Sequence, residues 1–279
     1  MPTEQYAYEL SARSIFKTLD IELIDLPDIS CCGEPLKSVN KYMALYLSAR
    51  NLAIAEKQNL DIYAPCPLCH LALSECKKIL KENHDLRKKL ASQLQNENLT
   101  YKGINNIVHT VDLLHDHIGL KAIKEKVKKP FNDLKIAVHY GCHLNRPSEI
   151  GRPVDSENPQ KMEHILKTLG ANPVDYPQKL DCCGALLTIN LPESALTKTG
   201  QKLDAVQTQG YDAFIDTCPW CHKMFDARQI KAGETVAKKL NIPVLYLTQL
   251  IGLAFGIEHD KLGLQLNQSP IEPILTGVK

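Results

Sequence analysis

The sequence of 279 residues is long enough for one large domain or for two domains of about 140 residues each. Its apolar content of 44% and charged content of 23% are those of an ordinary globular protein. A formal net charge of +1 gives no electrostatic reason to expect nucleic acid binding, and no run of about 20 apolar residues predicts a membrane span.

The first half of the chain alternates predicted helices with short predicted strands. Apolar residues at helical spacing predict helices over 7–19, 37–57 and about 70–82. Alternating or short apolar runs predict strands over 20–27, over 60–64 and at the start of 107–114. A lysine-rich segment ends at Pro130, and there we predict the boundary between two domains, 1–130 and 131–279.

The second half repeats this order. Strands are predicted over 134–140, 173–177, 213–217 and 243–247, and helices over 159–169, 192–208 and 248–256. Three pairs of segments resemble one another between the halves, namely 21–33 and 172–184, 60–70 and 211–222, and 107–114 and 244–251. We therefore predict an α/β fold of two pseudo-symmetric halves, each with a mostly parallel sheet and helices.

Nine of the ten cysteines fall into packets at the predicted ends of strands. The packets are Cys31-Cys32-Gly33 and Cys66-x2-Cys69 in the first half, and Cys142, Cys182-Cys183-Gly184 and Cys218-x2-Cys221 in the second. The first residues do not resemble a signal peptide, so we expect a cytoplasmic protein with reduced thiols. Clustered thiols in that compartment indicate metal ligands. Cys76 lies outside the packets, and we expect it in the core.

The packets favour a polynuclear site over a single ion. A Cys-x2-Cys at the start of a helix directs two thiolates at one metal. Adjacent side chains such as those of Cys182 and Cys183 diverge, which suits two different irons of one cluster. Five thiols also exceed the four that a structural zinc ion takes. The second half is therefore predicted to bind an iron–sulfur cluster.

These packets resemble the cysteine-rich Cys-Cys-Gly (CCG) domain of the B subunit of heterodisulfide reductase. The likeness extends to His139-Tyr-Gly-Cys-His143, Thr217-Cys-Pro-Trp-Cys-His222 and the segments 173–177, 243–254 and 48–55, and covers about residues 5–275. It implies a non-cubane 4Fe–4S cluster on Cys142, Cys182, Cys183, Cys218 and Cys221. It also implies a second iron–sulfur cluster, of unassigned type, on Cys31, Cys32, Cys66 and Cys69.

The resemblance further implies a role in disulfide and thiol chemistry. The partners would be the heterodisulfide reductase-like C subunit, which carries cubane iron–sulfur clusters, and the flavin-bearing A subunit, and the substrate would be a disulfide or thiol. We assign the chemistry to Cys183 and to His143, which is placed to deliver a proton to a leaving thiolate. His70 and His222 are expected to bond nearby carbonyl groups, and Trp220 to shield a cluster from water.

Two departures from the family pattern shape the prediction. No cysteine precedes Cys31, and the spacing of the second half would put the missing thiol before Met1. We expect a start upstream; otherwise the first site has four ligands, or Cys76 substitutes. The sequence Ala185-Leu-Leu187 replaces a glycine-rich run, which favours a bacterial-type relative acting in sulfur-compound oxidation over a methanogen-type reductase.

Two other readings remain open at this point. The clusters would serve only as an electron relay within a larger flavin and iron–sulfur complex, or the cysteines would bind structural zinc. Zinc gives no reason for the Cys-Cys-Gly packets.

Overall fold

The computed structural model describes residues 5–150 and 156–277. Among them the chain forms two compact units. We call Met1–Leu23, Val111–Cys142 and Glu157–Lys279 the C-terminal unit, and Ile24–Thr110 with His143–Ser156 the N-terminal unit. These bounds differ from the predicted domains 1–130 and 131–279, because the first helix and the segment after residue 110 pack within the C-terminal unit.

Helices and short strands alternate along the described chain. The strands are β1 (Ile62–Tyr63), β2 (Ile107–Val108), β3 (Lys135–His139), β4 (Asn172–Pro173), β5 (Ala213–Asp216) and β6 (Val244–Tyr246). The helices are α1 (Tyr6–Thr18), α2 (Lys41–Lys57), α3 (Pro67–Glu82), α4 (His84–Gln95), α5 (Thr110–Asp112), α6 (Leu120–Lys126), α7 (Cys142–Asn145), α8 (Lys161–Thr168), α9 (Pro192–Thr208), α10 (Pro219–His222), α11 (Gln229–Thr235), α12 (Leu247–Ala254) and α13 (Glu272–Gly277).

The C-terminal unit is built on a parallel sheet in the order β4-β3-β5-β6. Ile136 pairs with Ala213 and Phe214 with Val244, so the central strands run in the same direction and end at one edge. All of β5 and β6 is buried, as expected for parallel strands covered on both faces. The carboxyl ends of β3 and β5 therefore deliver residues 142 and 218 to the same edge of the sheet.

The N-terminal unit carries a smaller sheet, in which β1 and β2 pair in parallel. Its core packs α2, α3 and α4 against these strands through buried aliphatic side chains. Asn83 ends α3 and caps α4, because its side-chain oxygen accepts a hydrogen bond from the Leu86 amide at 2.9 Å. The prediction of an α/β fold with parallel sheets is confirmed.

One predicted strand does not form. Residues 20–27 have no regular structure, although their apolar and acidic residues alternate. None of them is buried, and Ile24 keeps 54% of its surface exposed. Alternation alone gives no strand where neither face is covered by a core. The strand predicted over 173–177 is likewise reduced to β4.

Within the described ranges, none of the helices has both the length and the apolar character needed to cross a bilayer.

Candidate metal centres

A left-handed turn presents the adjacent cysteines of the C-terminal unit. Gly184 follows Cys183 with φ +88°, and a Cβ at this position would lie 2.7 Å from the carbonyl oxygen of Ala195 on α9. Only glycine fits such a left-handed turn against a helix backbone. The turn aims the amides of Gly184 and Ala185 at the sulfurs of Cys182 and Cys183, at 3.4 and 3.5 Å. These amides stabilise negative charge on the two sulfurs.

The Cys-x2-Cys packet sits where β5 becomes α10. Cys218 is the N-cap of α10, its backbone is extended, and its carbonyl accepts the His222 amide at 2.9 Å. Cys221 lies one turn inside the helix. Both side chains are buried, with 5% and 3% exposure. The strand-to-helix junction therefore places two thiols at the sheet edge, as the spacing predicts.

The five thiols of the C-terminal unit form one continuous cluster. Hydrogen bonds link the thiols of Cys142 and Cys182, those of Cys182 and Cys183, those of Cys183 and Cys221, and those of Cys221 and Cys218. All five are free of disulfides. The fold thus brings together all the cysteines that the sequence assigns to this site. We call this set the C-terminal cysteine cluster.

This cluster resists full ionisation by itself. The hydrogen bond from Cys183 to the Cys182 sulfur raises the pKa of Cys183 to about 12, and a similar bond together with burial raises that of Cys142. Cys182 receives both hydrogen bonds, and its pKa is lowered. The protein alone therefore favours a thiolate at Cys182 and protonated thiols at Cys142 and Cys183. Five thiolates at this distance require cations between them.

A buried histidine adjoins these thiols. His139, the last residue of β3, places a ring nitrogen within 4.8 Å of the sulfurs of Cys183 and Cys221. Neither ring nitrogen makes a hydrogen bond of normal geometry to a described residue, and the ring interacts only weakly with the Lys179 backbone. Burial, with the nearby charge of Lys202, holds the pKa of His139 well below its usual range. A neutral, unsatisfied imidazole in this position suits a site completed by another group.

A buried lysine holds the backbone that leads into the adjacent cysteines. Lys202 on α9 is 2% exposed, and its ammonium donates to the carbonyls of Gln178, Lys179 and Asp181 at 2.7, 3.1 and 2.9 Å. Burial lowers the pKa of Lys202 to about 8 against the opposing influence of nearby thiols and Asp181. Neither Lys202 nor His139 was predicted as a site residue. The one sequence signal for His139 was its position at the end of a strand, three residues before Cys142; Lys202 had no such signal.

The N-terminal unit contains a similar arrangement of four thiols. Hydrogen bonds link Cys31 to Cys32, Cys32 to Cys69, and Cys69 to Cys66. Gly33 follows with φ +89°, and a Cβ there would lie 2.6 Å from the Ala44 carbonyl oxygen. Cys66 caps α3 as Cys218 caps α10. We call these four thiols the N-terminal cysteine cluster.

The contacts of Cys76 are with the hydrophobic core and a backbone carbonyl. Its side chain is fully buried in the core with Leu73 and Leu80, and its thiol donates to the Leu45 carbonyl at 3.5 Å. Burial raises the pKa of Cys76 to about 12. These contacts are those of the core thiol that the sequence predicts.

Three further residues singled out in the sequence lie beside the cysteines in the chain, namely His222, Trp220 and His143. His222 does not bond a carbonyl group as expected: its Nδ1 lies 3.1 Å from the buried Asp216 carboxylate, and its ring stacks on Tyr246 at 3.7 Å. Trp220 keeps 39% of its surface exposed, so it covers the site only in part. His143 is the second residue of α7 and is half-buried.

Comparison with known proteins agrees with two cysteine-bearing regions in this chain. The family described as "CCG: Cysteine-rich domain" matches residues 2–74 and 136–226, the two regions that contain the cysteine packets. The chain therefore belongs to the cysteine-rich CCG-domain family.

Its relatives within this family include the B subunits of heterodisulfide reductases, as the sequence motifs predict. The chain is 33% identical to the B subunit of the ferredoxin:CoB-CoM heterodisulfide reductase of Methanosarcina mazei, over 96% of this chain and 90% of that protein. It is 34% identical to the 8-methylmenaquinol:fumarate reductase membrane anchor subunit of Wolinella succinogenes, over 92% and 89%.

A solved structure shares the fold. The crystal structure of a hypothetical protein from Helicobacter pylori aligns with a TM-score of 0.75 over 94% of this chain, at 19% sequence identity. This chain spans 48% of the length of that structure.

Proposed function

We propose that this chain is the iron–sulfur subunit of a heterodisulfide reductase-like complex, and that it interconverts a disulfide and two thiols at the C-terminal cysteine cluster. The observation that carries the proposal is the continuous contact of five thiols drawn from three separate packets. Relatives named as heterodisulfide reductase B subunits, or as proteins like them, support it at 30–33% identity over most of the chain.

The donor set fits an iron–sulfur cluster. A structural zinc ion takes four ligands, whereas here five thiols are linked in one chain of hydrogen bonds and include an adjacent pair in a left-handed glycine turn. Cys142, Cys182, Cys183, Cys218 and Cys221 would hold the group, and we retain the non-cubane 4Fe–4S type for it. When bound, such a cluster supplies electrons one at a time.

The N-terminal cysteine cluster would hold a second iron–sulfur group. Its four thiols, Cys31, Cys32, Cys66 and Cys69, match in number the ligands of a cluster of the ordinary four-cysteine kind. The type of this second group stays open in the proposal. Cys76 is not included, because its thiol is engaged with a backbone carbonyl in the core.

The protein's own groups bind the sulfurs, limit water and supply protons. Cleavage of one disulfide takes two electrons and two protons and yields two thiols. Cys183 is the buried member of the adjacent pair, and the Ala185 amide stabilises charge on its sulfur. His143, which follows Cys142 in the chain, is proposed to deliver a proton to a leaving thiolate.

The electrons would be exchanged with partner proteins. We propose one partner that resembles the cubane-cluster C subunit and, beyond it, a flavin-bearing partner that resembles the A subunit, in a complex located in the cytoplasm. The turn after Gly184 supports a docking surface for the cubane-cluster partner, because Leu186, Ile189 and Leu191 are apolar and 55%, 87% and 55% exposed. Side chains of this kind at such exposure are typical of an interface.

The same turn bears on the substrate. Ala185 is buried and Leu186 projects into solvent four residues after the exposed Cys182. An apolar turn in place of a glycine-rich one favours a substrate of sulfur-compound oxidation over the CoB-CoM heterodisulfide named for the methanogen relatives. We therefore propose sulfur-compound oxidation as the setting of the reaction.

A second candidate function is an electron relay without disulfide chemistry. The relative named as a fumarate reductase subunit, 34% identical over nearly its whole length, favours this alternative. In a relay, both cysteine clusters would pass electrons between partners, and the C-terminal site would bind no sulfur substrate.

One experiment distinguishes disulfide chemistry from an electron relay. The anaerobically reconstituted protein is reduced with dithionite, freed of excess reductant, and mixed with the CoB-CoM heterodisulfide or with a lipoyl disulfide. The proposal predicts reoxidation of the cluster with release of thiol, detected by a thiol reagent, and loss of both in Cys183→Ser. A loaded cluster that neither reoxidises nor releases thiol with either disulfide would support the relay.

A further inference from the structure

The adjacent-cysteine turns of the two clusters, and the helices that hold them, share a scaffold in which corresponding residues lie 151 positions apart. Helices α2 (Lys41–Lys57) and α9 (Pro192–Thr208) both have 17 residues and begin 151 residues apart. The same offset relates Gly33 to Gly184, and it relates the residues that these glycines approach, Ala44 and Ala195. The repeat is thus preserved to the level of single contacts.

The helices hold the cysteine turns in the same way. Ser48 donates to the Cys32 carbonyl at 2.6 Å, and Thr199, 151 residues later, donates to the Cys183 carbonyl at 2.8 Å. Both hydroxyls thereby fix the second cysteine of the adjacent pair. The helices differ one turn further along.

At that next position a neutral residue corresponds to a charged one. Asn51 donates to the carbonyls of Ser30 and Cys31, at 2.9 and 3.3 Å. Lys202 occupies the equivalent position and donates to Asp181, the counterpart of Ser30, and to two further carbonyls. Both side chains bind the backbone just before the first cysteine, but only Lys202 adds a charge.

The geometry requires the charged form of this lysine. Three carbonyl oxygens lie between 2.7 and 3.1 Å from Nζ, and only an ammonium has three N–H groups to donate to them. Lys202 as a whole is only 2% exposed, so solvent screens its charge little. Another buried lysine of this region, Lys179, is paired instead with Glu163 at 2.5 Å. The carboxylate of Asp181 is on an exposed residue and is better screened.

We infer that Lys202 is a positioning residue that raises the reduction potential of the C-terminal iron–sulfur site, a contribution that the N-terminal site lacks because Asn51 replaces it. The inference rests on the proposed function, since it requires iron–sulfur groups at both sites. An added electron makes a site more negative, and a fixed, poorly screened cation stabilises that state. The C-terminal site thereby becomes the better electron acceptor of the two.

The test is a dithionite titration with redox mediators, followed by electron paramagnetic resonance. Lys202→Met removes the charge and keeps the length, and the expected result is at least a tenfold fall in the reduction equilibrium of the C-terminal site, about 59 mV for one electron. The N-terminal signal should not move. Lys202→Arg, which keeps the charge, should restore the potential, and Lys198→Met, an exposed lysine one turn earlier on α9, should leave it unchanged.

A fully iron-loaded Lys202→Met protein with an unchanged C-terminal potential, or with equal shifts at both sites, would overturn the inference. If this variant does not bind iron at the C-terminal site, Asn51→Lys decides, because it should raise the potential of the N-terminal site. The backbone contacts are tested without iron by hydrogen exchange: the amides of Lys179 and Asp181 should exchange faster in Lys202→Met. Wild-type protein without iron would instead refute the proposed function.

Discussion

Replacing Gly184 with alanine should disrupt the turn that presents Cys182 and Cys183. Gly184 has φ +88°, a conformation that costs an alanine about 1–2 kcal/mol. The added Cβ would also lie 2.7 Å from the Ala195 carbonyl oxygen, and relieving such a backbone contact costs about 1–3 kcal/mol. Gly184→Ala should therefore lower the free energy of unfolding by about 2–5 kcal/mol.

Gly210→Ala is the matched control. Gly210 follows α9 with φ +67°, but a Cβ there would meet nothing within 4 Å. Only the conformational cost of about 1–2 kcal/mol applies. The difference between the two variants isolates the close approach to the helix backbone.

The assay is urea unfolding of the metal-free protein, followed by circular dichroism, with the iron content measured after reconstitution. Gly184→Ala should unfold at lower urea than Gly210→Ala and lose iron at the C-terminal cysteine cluster. Equal stability of the two variants, or full iron retention by Gly184→Ala, would refute the steric argument.

Three further predictions concern the cysteines and the docking surface. Cys183→Ser should abolish the paramagnetic signal of the C-terminal site and retain that of the N-terminal site, whereas Cys31→Ser should do the reverse; loss of both signals in either variant would contradict two separate sites. Cys76 should resist alkylation at pH 8, because a pKa of about 12 leaves about one thiolate in ten thousand at that pH, and it should react faster as the pH rises. Cys76→Ser should retain both clusters. Loss of the N-terminal signal in this variant would show that Cys76 is a ligand. Ile189→Glu should weaken co-purification with an iron–sulfur partner protein at least tenfold. The control is Ile230→Glu, at a residue that is 77% exposed on α11, and it should not weaken co-purification. Equal effects of the two variants would argue against docking at the turn after Gly184.

The local features of the sequence predicted well where the cysteine packets lie in the fold. The Cys-x2-Cys packets lie at strand-to-helix junctions because a short buried strand followed by Pro67 or Pro219 specifies such a junction. The helix over 192–208 was predicted at its observed bounds, since proline at its first position and regular apolar spacing mark it clearly.

The sequence was less informative where long-range contacts decide. Lys202 and Asn51 look like ordinary polar helix residues, and only the folded backbone shows that each binds carbonyl groups beside a cysteine pair. The predicted strand over 20–27 failed because no core covers either face. The role of His222 depends on Asp216, whose burial within β5 is a property of the sheet.

Metal analysis of the anaerobically reconstituted protein, combined with electron paramagnetic resonance, decides whether the C-terminal cysteine cluster holds iron and sulfide. The wild-type chain is compared with a variant in which Cys142, Cys182 and Cys218 are serine. We expect iron and sulfide in the wild type, with a C-terminal signal that this variant lacks. Zinc without iron, or a C-terminal signal unchanged in the variant, would contradict the assignment of an iron–sulfur site.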